Sequence, residues 1–220
     1  MNRQEFEHIV RAAAGITGQK EFIIIGSQSI LGKFPDAPRV LRHSMELDLY
    51  PKDHPELADL ISGCLGEYST FHDTFKYYAD GVSPTTAILP TGWQQRLERF
   101  TSENTGGAVA YCLDPVDLAY AKLAAGRPKD IGYVVDLLRH HLIKPSALAG
   151  LIGQTEDSAL KEVLSERWQV VQAKKISQES PTIASGIETP RGPLLRSPNP
   201  SSPDQSLPPP KQSQRRGMGM

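Results

Sequence analysis

The stretch EFIIIGSQSILGKF, residues 21–34, together with HSMELDLYP, residues 43–51, decides the fold that this sequence predicts. The apolar run that opens the first stretch is typical of a short strand buried on both faces. A short helix is predicted to start directly after Gly26 and Ser27. In the second stretch apolar and acidic residues alternate, which indicates a half-buried strand. The centre of the predicted domain is therefore a pair of strands, the first of which ends in a Gly-Ser turn.

Gly26 and Ser27 have the chemistry of a phosphate-binding turn. A glycine directly after a strand lets the backbone approach a ligand closely. The N-terminus of the following helix directs free N–H groups at an anion, and Ser27 adds a hydroxyl. A lone Gly-Ser pair after a strand is more often only a turn, so this interpretation needs support from elsewhere in the chain.

Glu46 and Asp48 have the spacing of a metal-binding carboxylate pair. Residues two apart on a strand point to the same face, with Cα atoms roughly 6.6–7 Å apart. Mg²⁺ prefers one or two carboxylates together with substrate phosphates. An acidic pair is also typical of the solvent face of a strand. With about 20 residues between them, the Gly-Ser turn and the acidic pair together predict metal-assisted phosphoryl or nucleotidyl transfer.

Two parts of the chain resemble a known family. GSQSILGKF followed by MELDLYP is similar to the first motif of the nucleotidyltransferase fold, a Gly-Gly or Gly-Ser pair before an acidic-x-acidic strand. DGVSPTTAILPTGWQQRL and the helical stretch from Asp117 to Asp130 resemble the small bacterial DUF6036 group, which is related to the AbiEii-type toxins of toxin–antitoxin systems. The resemblance covers roughly residues 5–145. It implies an α/β (α+β) fold, a minimal nucleotidyltransferase-like mixed sheet with flanking helices.

The resemblance also implies a reaction, in which a nucleoside monophosphate passes from an NTP to an RNA or protein acceptor with Mg²⁺ as cofactor. The implied site has three parts: the nucleotide-binding pair Gly26 and Ser27, the metal-binding and catalytic pair Glu46 and Asp48, and the phosphate-reaching basic residues Lys122 (also catalytic), Arg127 and Lys129. For Lys122 a surface position, with its stem along the protein, is the open alternative. For Lys129 the alternative is an ordinary helix start.

Nucleotidyltransferases typically add a third carboxylate on a neighbouring strand. The stretch FHDTFKYYADGVSPTTAILP predicts two strands joined by DGVSP, and the second of them, TTAILP, has no acid. Asp73 and Asp80, on or beside the first of these strands, are the available substitutes. The resemblance as a whole favours an enzyme. The alternative, which the lack of an acid in TTAILP favours, is a catalytically degenerate binding module of a toxin–antitoxin pair, bound to a cognate toxin or antitoxin.

The composition argues against several classes of protein. Among the 220 residues there are only two cysteines, Cys64 and Cys112, which argues against a disulfide scaffold and fits the cytoplasm. No apolar run approaches the roughly 20 residues of a membrane span, so we expect no membrane association. Residues 1–173 carry a formal charge of −5, which disfavours a helical nucleic-acid binder because basic contacts to phosphate supply most of such affinity.

One domain and a tail are predicted. Residues 1–173 form the nucleotidyltransferase-like domain, which opens with a helix capped by Asn2 and closes with a helical part over residues 113–173. Residues 174–220 are rich in Pro and Ser and poor in bulky apolar side chains, and are predicted to form a disordered tail.

Overall fold

A computed structural model of the chain describes residues 1–179. This part contains five strands, which are β1 (Glu21–Ile24), β2 (Glu46–Pro51), β3 (Tyr78–Gly81), β4 (Glu98–Phe100) and β5 (Val109–Cys112). It contains eight α-helices, which are α1 (Arg3–Thr17), α2 (Ile30–Lys33), α3 (Ala58–Leu65), α4 (Thr70–Phe75), α5 (Pro115–Ala125), α6 (Pro128–Arg139), α7 (Pro145–Gly153) and α8 (Ser158–Glu179). The predicted α/β class is confirmed.

The strands form one mixed sheet in the order β3-β2-β1-β5-β4. β1 pairs antiparallel with β2 and parallel with β5, while β2 and β3 run parallel. Phe22 and Ile24 of the central strand β1 are fully buried, as the continuous apolar run predicted. β2 buries Leu47 and Leu49 and leaves its acidic residues half-buried, as the alternating pattern predicted.

The N-terminal helix forms because its sequence supplies both a cap and an apolar face. Asn2 and Glu5 make reciprocal hydrogen bonds with each other's backbone N–H, the predicted capping box. Phe6, Ile9 and Val10 are fully buried and lie on the face of α1 that belongs to the core. α1 packs against α3, and both helices also contact β2 of the sheet.

The C-terminal part of the domain is helical, as predicted. The side chain of Asp114 accepts a hydrogen bond from the backbone N–H of Val116 at 2.8 Å and so caps α5. Gly126 ends α5 in the left-handed conformation, and α6 begins two residues later at Pro128. α5, α6, α7 and α8 pack on one another, so this end of the fold is a small helical bundle beside the sheet.

The predicted antiparallel hairpin over residues 71–90 is wrong, although the end of its first strand does form β3. Its first part forms α4, which Ser69 caps by accepting a hydrogen bond from the backbone of His72. Phe71 and Phe75 then lie one helical turn apart, with their rings tilted by 51° and 4.9 Å between the ring centroids. TTAILP is not a strand, and the sheet partners that the sequence did not predict are β4 and β5.

The last helix is longer than the sequence predicted. α8 continues through Glu179, so residues 174–179, which the sequence assigned to the tail, are helical. The rest of the predicted tail, residues 180–220, lies outside the described residues. Over residues 1–179 none of the helices combines the length and the apolar character that crossing a membrane requires.

Candidate active site

The pairing of β2 with β3 brings three carboxylates together. In this parallel pair Glu46 lies opposite Tyr78, and Asp48 lies opposite Asp80. Side chains at paired positions share a face of the sheet, and residues two apart on one strand share it as well. Oxygen atoms of Glu46, Asp48 and Asp80 lie within 4.8 Å of one another, and all three residues are half-buried. This acidic triad is a set of hard oxygen ligands that suits a divalent cation.

The structure thus supplies a third carboxylate, and it comes from Asp80 of β3. The sequence predicted a strand at TTAILP, which is not a strand, and offered Asp73 and Asp80 as substitutes for its missing acid. Asp73 lies on α4, where it is exposed and outside the cleft described below. Asp80 reaches the pair because β3 is the direct neighbour of β2.

Gly26 lies directly against the acidic triad. Its backbone has φ 58° and ψ −175°, a conformation that only glycine adopts readily. A β-carbon on Gly26 would lie 1.6 Å from Oδ2 of Asp48, so any other residue would collide with this carboxylate. The backbone at Gly26 therefore lies directly beside the acidic face of β2.

Two hydrogen bonds from side chains help to hold the loop after Gly26 in place. The hydroxyl of Ser29 donates to the carbonyl oxygen of Gly26 at 2.9 Å. The phenol of Tyr133, from α6, donates to the carbonyl oxygen of Ser27 at 2.8 Å. Within the described part of the chain the hydroxyl of Ser27 itself makes no hydrogen bond, and Ser27 lines the cleft.

Lys122 lies in the cleft and is not a solvated surface residue. Its side chain is only 11% exposed, and its ammonium nitrogen lies 3.2 Å from Oδ1 of Asp130. The same ammonium lies 5.4 Å from the centre of the Tyr133 ring, within reach of a cation–π interaction. The sequence analysis had left a surface position open for this lysine, and the structure places it among the site residues.

Asp130 joins two of the predicted basic residues. Arg127 donates to its carboxylate at 2.6 Å, and Lys122 pairs with the other oxygen. Asp130 is 1% exposed. Burial by itself favours its neutral form, but the hydrogen bond from Arg127 and the charge of Lys122 outweigh it and lower the pKa of Asp130. Lys129 is exposed and lines the cleft at the same helix start.

The environment of Asp48 favours its protonated form. Burial is the largest cause, followed by the hydrogen bond and the negative charge of Glu46, and the pKa of Asp48 rises to about 7. The positive charge of Lys122 opposes this rise. A bound cation would lower the pKa of a partly buried carboxylate that lies among like charges, because the cation stabilises the charged form.

Asp117, which opens the stretch that resembles DUF6036, has a structural contact. It is fully buried and accepts three hydrogen bonds from the guanidinium of Arg96, the shortest at 2.8 Å. This ion pair links α5 to the segment before β4. Lys122, five residues later on the same helix, lines the cleft.

All the predicted site residues line one cleft of about 620 Å³. These predicted residues are Gly26, Ser27, Glu46, Asp48, Lys122, Arg127 and Lys129. The cleft is also lined by His43, Asp130 and Tyr133, which the sequence did not predict as site residues. Apolar side chains such as Val82, Ile88 and Ala121 form another part of the lining. The cleft therefore combines an acidic triad, basic residues and an apolar surface.

Comparison with known proteins identifies the family. A family model described as a nucleotidyltransferase of unknown function, DUF6036, matches residues 4–176, and the chain belongs to this family. The resemblance drawn from the sequence is confirmed at that level, while the relation to AbiEii-type toxins remains a prediction. No curated protein and no solved structure matches the chain.

Proposed function

We propose that this protein is a Mg²⁺-dependent nucleotidyltransferase that transfers a nucleoside monophosphate from an NTP to a hydroxyl of an RNA or protein acceptor. The observation that carries the proposal is the position of Asp80, which stands opposite Asp48 in the sheet and completes a triad with Glu46. The family assignment over residues 4–176 supports the same class of reaction.

Glu46, Asp48 and Asp80 are the residues that would hold the cation. Their oxygen atoms are hard ligands close enough to converge on one ion or on an adjacent pair. When bound, Mg²⁺ would neutralise charge on the transferring phosphate and stabilise the attacking and leaving oxygens.

The Gly26-Ser27 turn and the basic residues bind the triphosphate. Because Gly26 carries no side chain, the turn lies directly beside the Asp48 carboxylate. The hydroxyl of Ser27, which has no competing partner among the described residues, is available to a phosphate oxygen of the triphosphate. Lys122 on α5 and Arg127, directly before α6, line the cleft and would compensate the negative charge of the phosphates. Asp130 fixes the positions of both basic groups through its two oxygens.

The reaction is a displacement at the α-phosphorus. The acceptor hydroxyl oxygen forms a bond to this phosphorus, and the bond from the phosphorus to the bridging oxygen of the pyrophosphate breaks. Pyrophosphate leaves with that bonding pair of electrons. Asp80, the third carboxylate, receives the proton of the acceptor hydroxyl.

The alternative of a degenerate binding module was based on the absence of a third acid from TTAILP. Asp80 lies where such an acid is needed, so the enzyme is the better supported of the two. Association with a cognate toxin or antitoxin remains a prediction. A cytoplasmic location also remains a prediction, with Cys64 and Cys112 both unpaired in the structure.

Transfer of labelled nucleotide tests this function. Purified protein is incubated with Mg²⁺, total RNA or total protein, and each NTP in turn, labelled at either the α- or the γ-phosphate. We expect label on the acceptor only from the α-labelled NTP, and none with Asp80→Asn. Asp73→Asn is the matched control, since Asp73 is exposed on α4 outside the cleft, and it should retain the activity. Transfer of the γ-label, or undiminished transfer by Asp80→Asn, contradicts the proposal.

A further inference from the structure

Ser62 makes contacts with β3 at the position of the acidic triad. Its hydroxyl oxygen lies 3.1 Å from Oδ1 of Asp80. The backbone N–H of Gly81 donates to the same hydroxyl at 2.8 Å, and the carbonyl oxygen of Gly81 lies 3.3 Å away. Ser62 belongs to α3, and within the described part of the chain it contacts Asp80 from behind the cleft lining, to which α3 contributes no residue.

The hydroxyl of Ser62 has one hydrogen to donate, and two acceptors lie within reach. Asp80 is the nearer of the two, and a hydrogen bond to a carboxylate is stronger than one to a neutral carbonyl. The lone pairs of the hydroxyl meanwhile accept from Gly81. Ser62 therefore binds the Asp80 carboxylate and the adjoining backbone at the same time.

The helix that carries Ser62 cannot move away from β3 independently. A β-carbon on Gly81 would lie 1.8 Å from the carbonyl oxygen of Ala58, so the first turn of α3 packs directly on the end of β3. Ala58, which makes this contact, and Ile61 in the next turn are both buried in the core. The position of Ser62 relative to Asp80 is thus fixed by packing as well as by hydrogen bonds.

We propose that Ser62 is a positioning residue that holds Oδ1 of Asp80, restricts rotation of this carboxylate and so presents it to the cation shared with Glu46 and Asp48. The inference rests on the proposed function, because it assigns Asp80 to the metal site. Groups that orient a ligating side chain commonly change metal affinity by about 10- to 100-fold when they are removed.

Mn²⁺ binding, measured by the electron paramagnetic resonance of the free ion, tests the inference without turnover. We expect Ser62→Ala to raise the Mn²⁺ Kd about tenfold. Ser62→Thr, which keeps a hydroxyl, should restore the affinity at least in part. Gly63→Ala is the matched control on the same helix, because its new methyl group meets no atom within 4 Å. In an Asp80→Asn background Ser62→Ala should cause no further change in Kd.

The outcomes separate the inference from the proposed function. Wild-type protein that fails to bind Mn²⁺ contradicts the metal-dependent function itself. Wild-type protein that binds, together with Ser62→Ala of unchanged affinity, overturns the role of Ser62 alone. Should Ser62→Ala fail to fold, Ser62→Cys keeps the volume with a much weaker donor. The Mn²⁺ Kd of Ser62→Cys should then rise, and an unchanged Kd would also overturn the inference.

Discussion

Gly26 and Asp48 are in direct contact, with the carboxylate of Asp48 in the space that a side chain at residue 26 would need. Oδ2 of Asp48 would lie 1.6 Å from a β-carbon there. One residue comes from the turn after β1 and the other from β2, so the antiparallel pairing of these strands brings the proposed phosphate-binding turn and the proposed metal-binding pair together. A substitution at either residue therefore acts on both parts of the site.

Gly26→Ala tests this contact. The left-handed φ of 58° alone costs about 1–3 kcal/mol for a residue other than glycine, and the collision with Asp48 adds to it. We expect a lower free energy of unfolding in denaturant titrations and loss of the thermal stabilisation by Mg²⁺ with NTP. Gly15→Ala in α1 is the control, since its β-carbon meets nothing. It should raise the stability by about 0.5–1 kcal/mol. Unchanged ligand stabilisation in Gly26→Ala would contradict the account.

Asp130→Asn tests whether the carboxylate of Asp130 holds the basic residues of the cleft in place. The substitution leaves the mostly buried Lys122 without its carboxylate, and we expect a loss of about 3 kcal/mol in the free energy of unfolding. Asp136→Asn in the same helix is the control, because Asp136 pairs with an Arg139 whose side chain is 46% exposed. It should cost less than about 1 kcal/mol. Equal losses in the two variants would mean that Asp130 is an ordinary surface partner.

Tyr133→Phe tests the hydrogen bond that holds the Gly26-Ser27 turn. The change keeps the ring beside Lys122 and removes the donor to Ser27, so stability should fall by about 1 kcal/mol. The Kd for NTP, measured by calorimetry, should rise several-fold because the turn is held less firmly. Tyr120→Phe removes a comparable hydrogen bond, to Thr155, outside the cleft lining. This control should lose similar stability with unchanged NTP affinity, and the same Kd in both variants would refute the role of Tyr133.

The affinity for the cation should depend on pH through Asp48. Its pKa is raised to about 7, so below neutral pH a proton occupies the carboxylate and the cation must displace it. The Mn²⁺ Kd should rise about tenfold from pH 8 to pH 6 and change little above pH 8. Calorimetry at each pH, in two buffers of different ionisation enthalpy, should also detect proton release on binding. A Kd that is flat from pH 6 to pH 8 would contradict this environment for Asp48.

The sequence predicted the parts of the site that lie within short stretches of chain. The Gly26-Ser27 turn and the Glu46-x-Asp48 strand follow from local patterns of apolar and acidic residues. Asp80 could not be assigned in this way, because its role depends on the register of β3 against β2. Tyr133 lies 106 residues from its partner Ser27, and no local pattern predicts that hydrogen bond.

The error at residues 71–90 also has a physical cause. The aromatic residues of this stretch favour a strand by propensity, but Phe71 and Phe75 lie four apart and can share one side of a helix. Ser69 supplies the cap that begins α4, and both rings contact His8 of α1. Packing against α1 thus outweighed the local preference, which is the usual limit of propensity arguments.

The most direct test of the central claim is the position of a bound cation. Crystals of the full chain grown with Mn²⁺ and a non-hydrolysable NTP analogue give an anomalous difference map that locates the ion. The account predicts a peak about 2.1 Å from carboxylate oxygens of Glu46, Asp48 and Asp80, with the analogue's phosphates between the ion and the Gly26-Ser27 turn. A peak elsewhere, or a nucleotide bound without an ion at the triad, would contradict it.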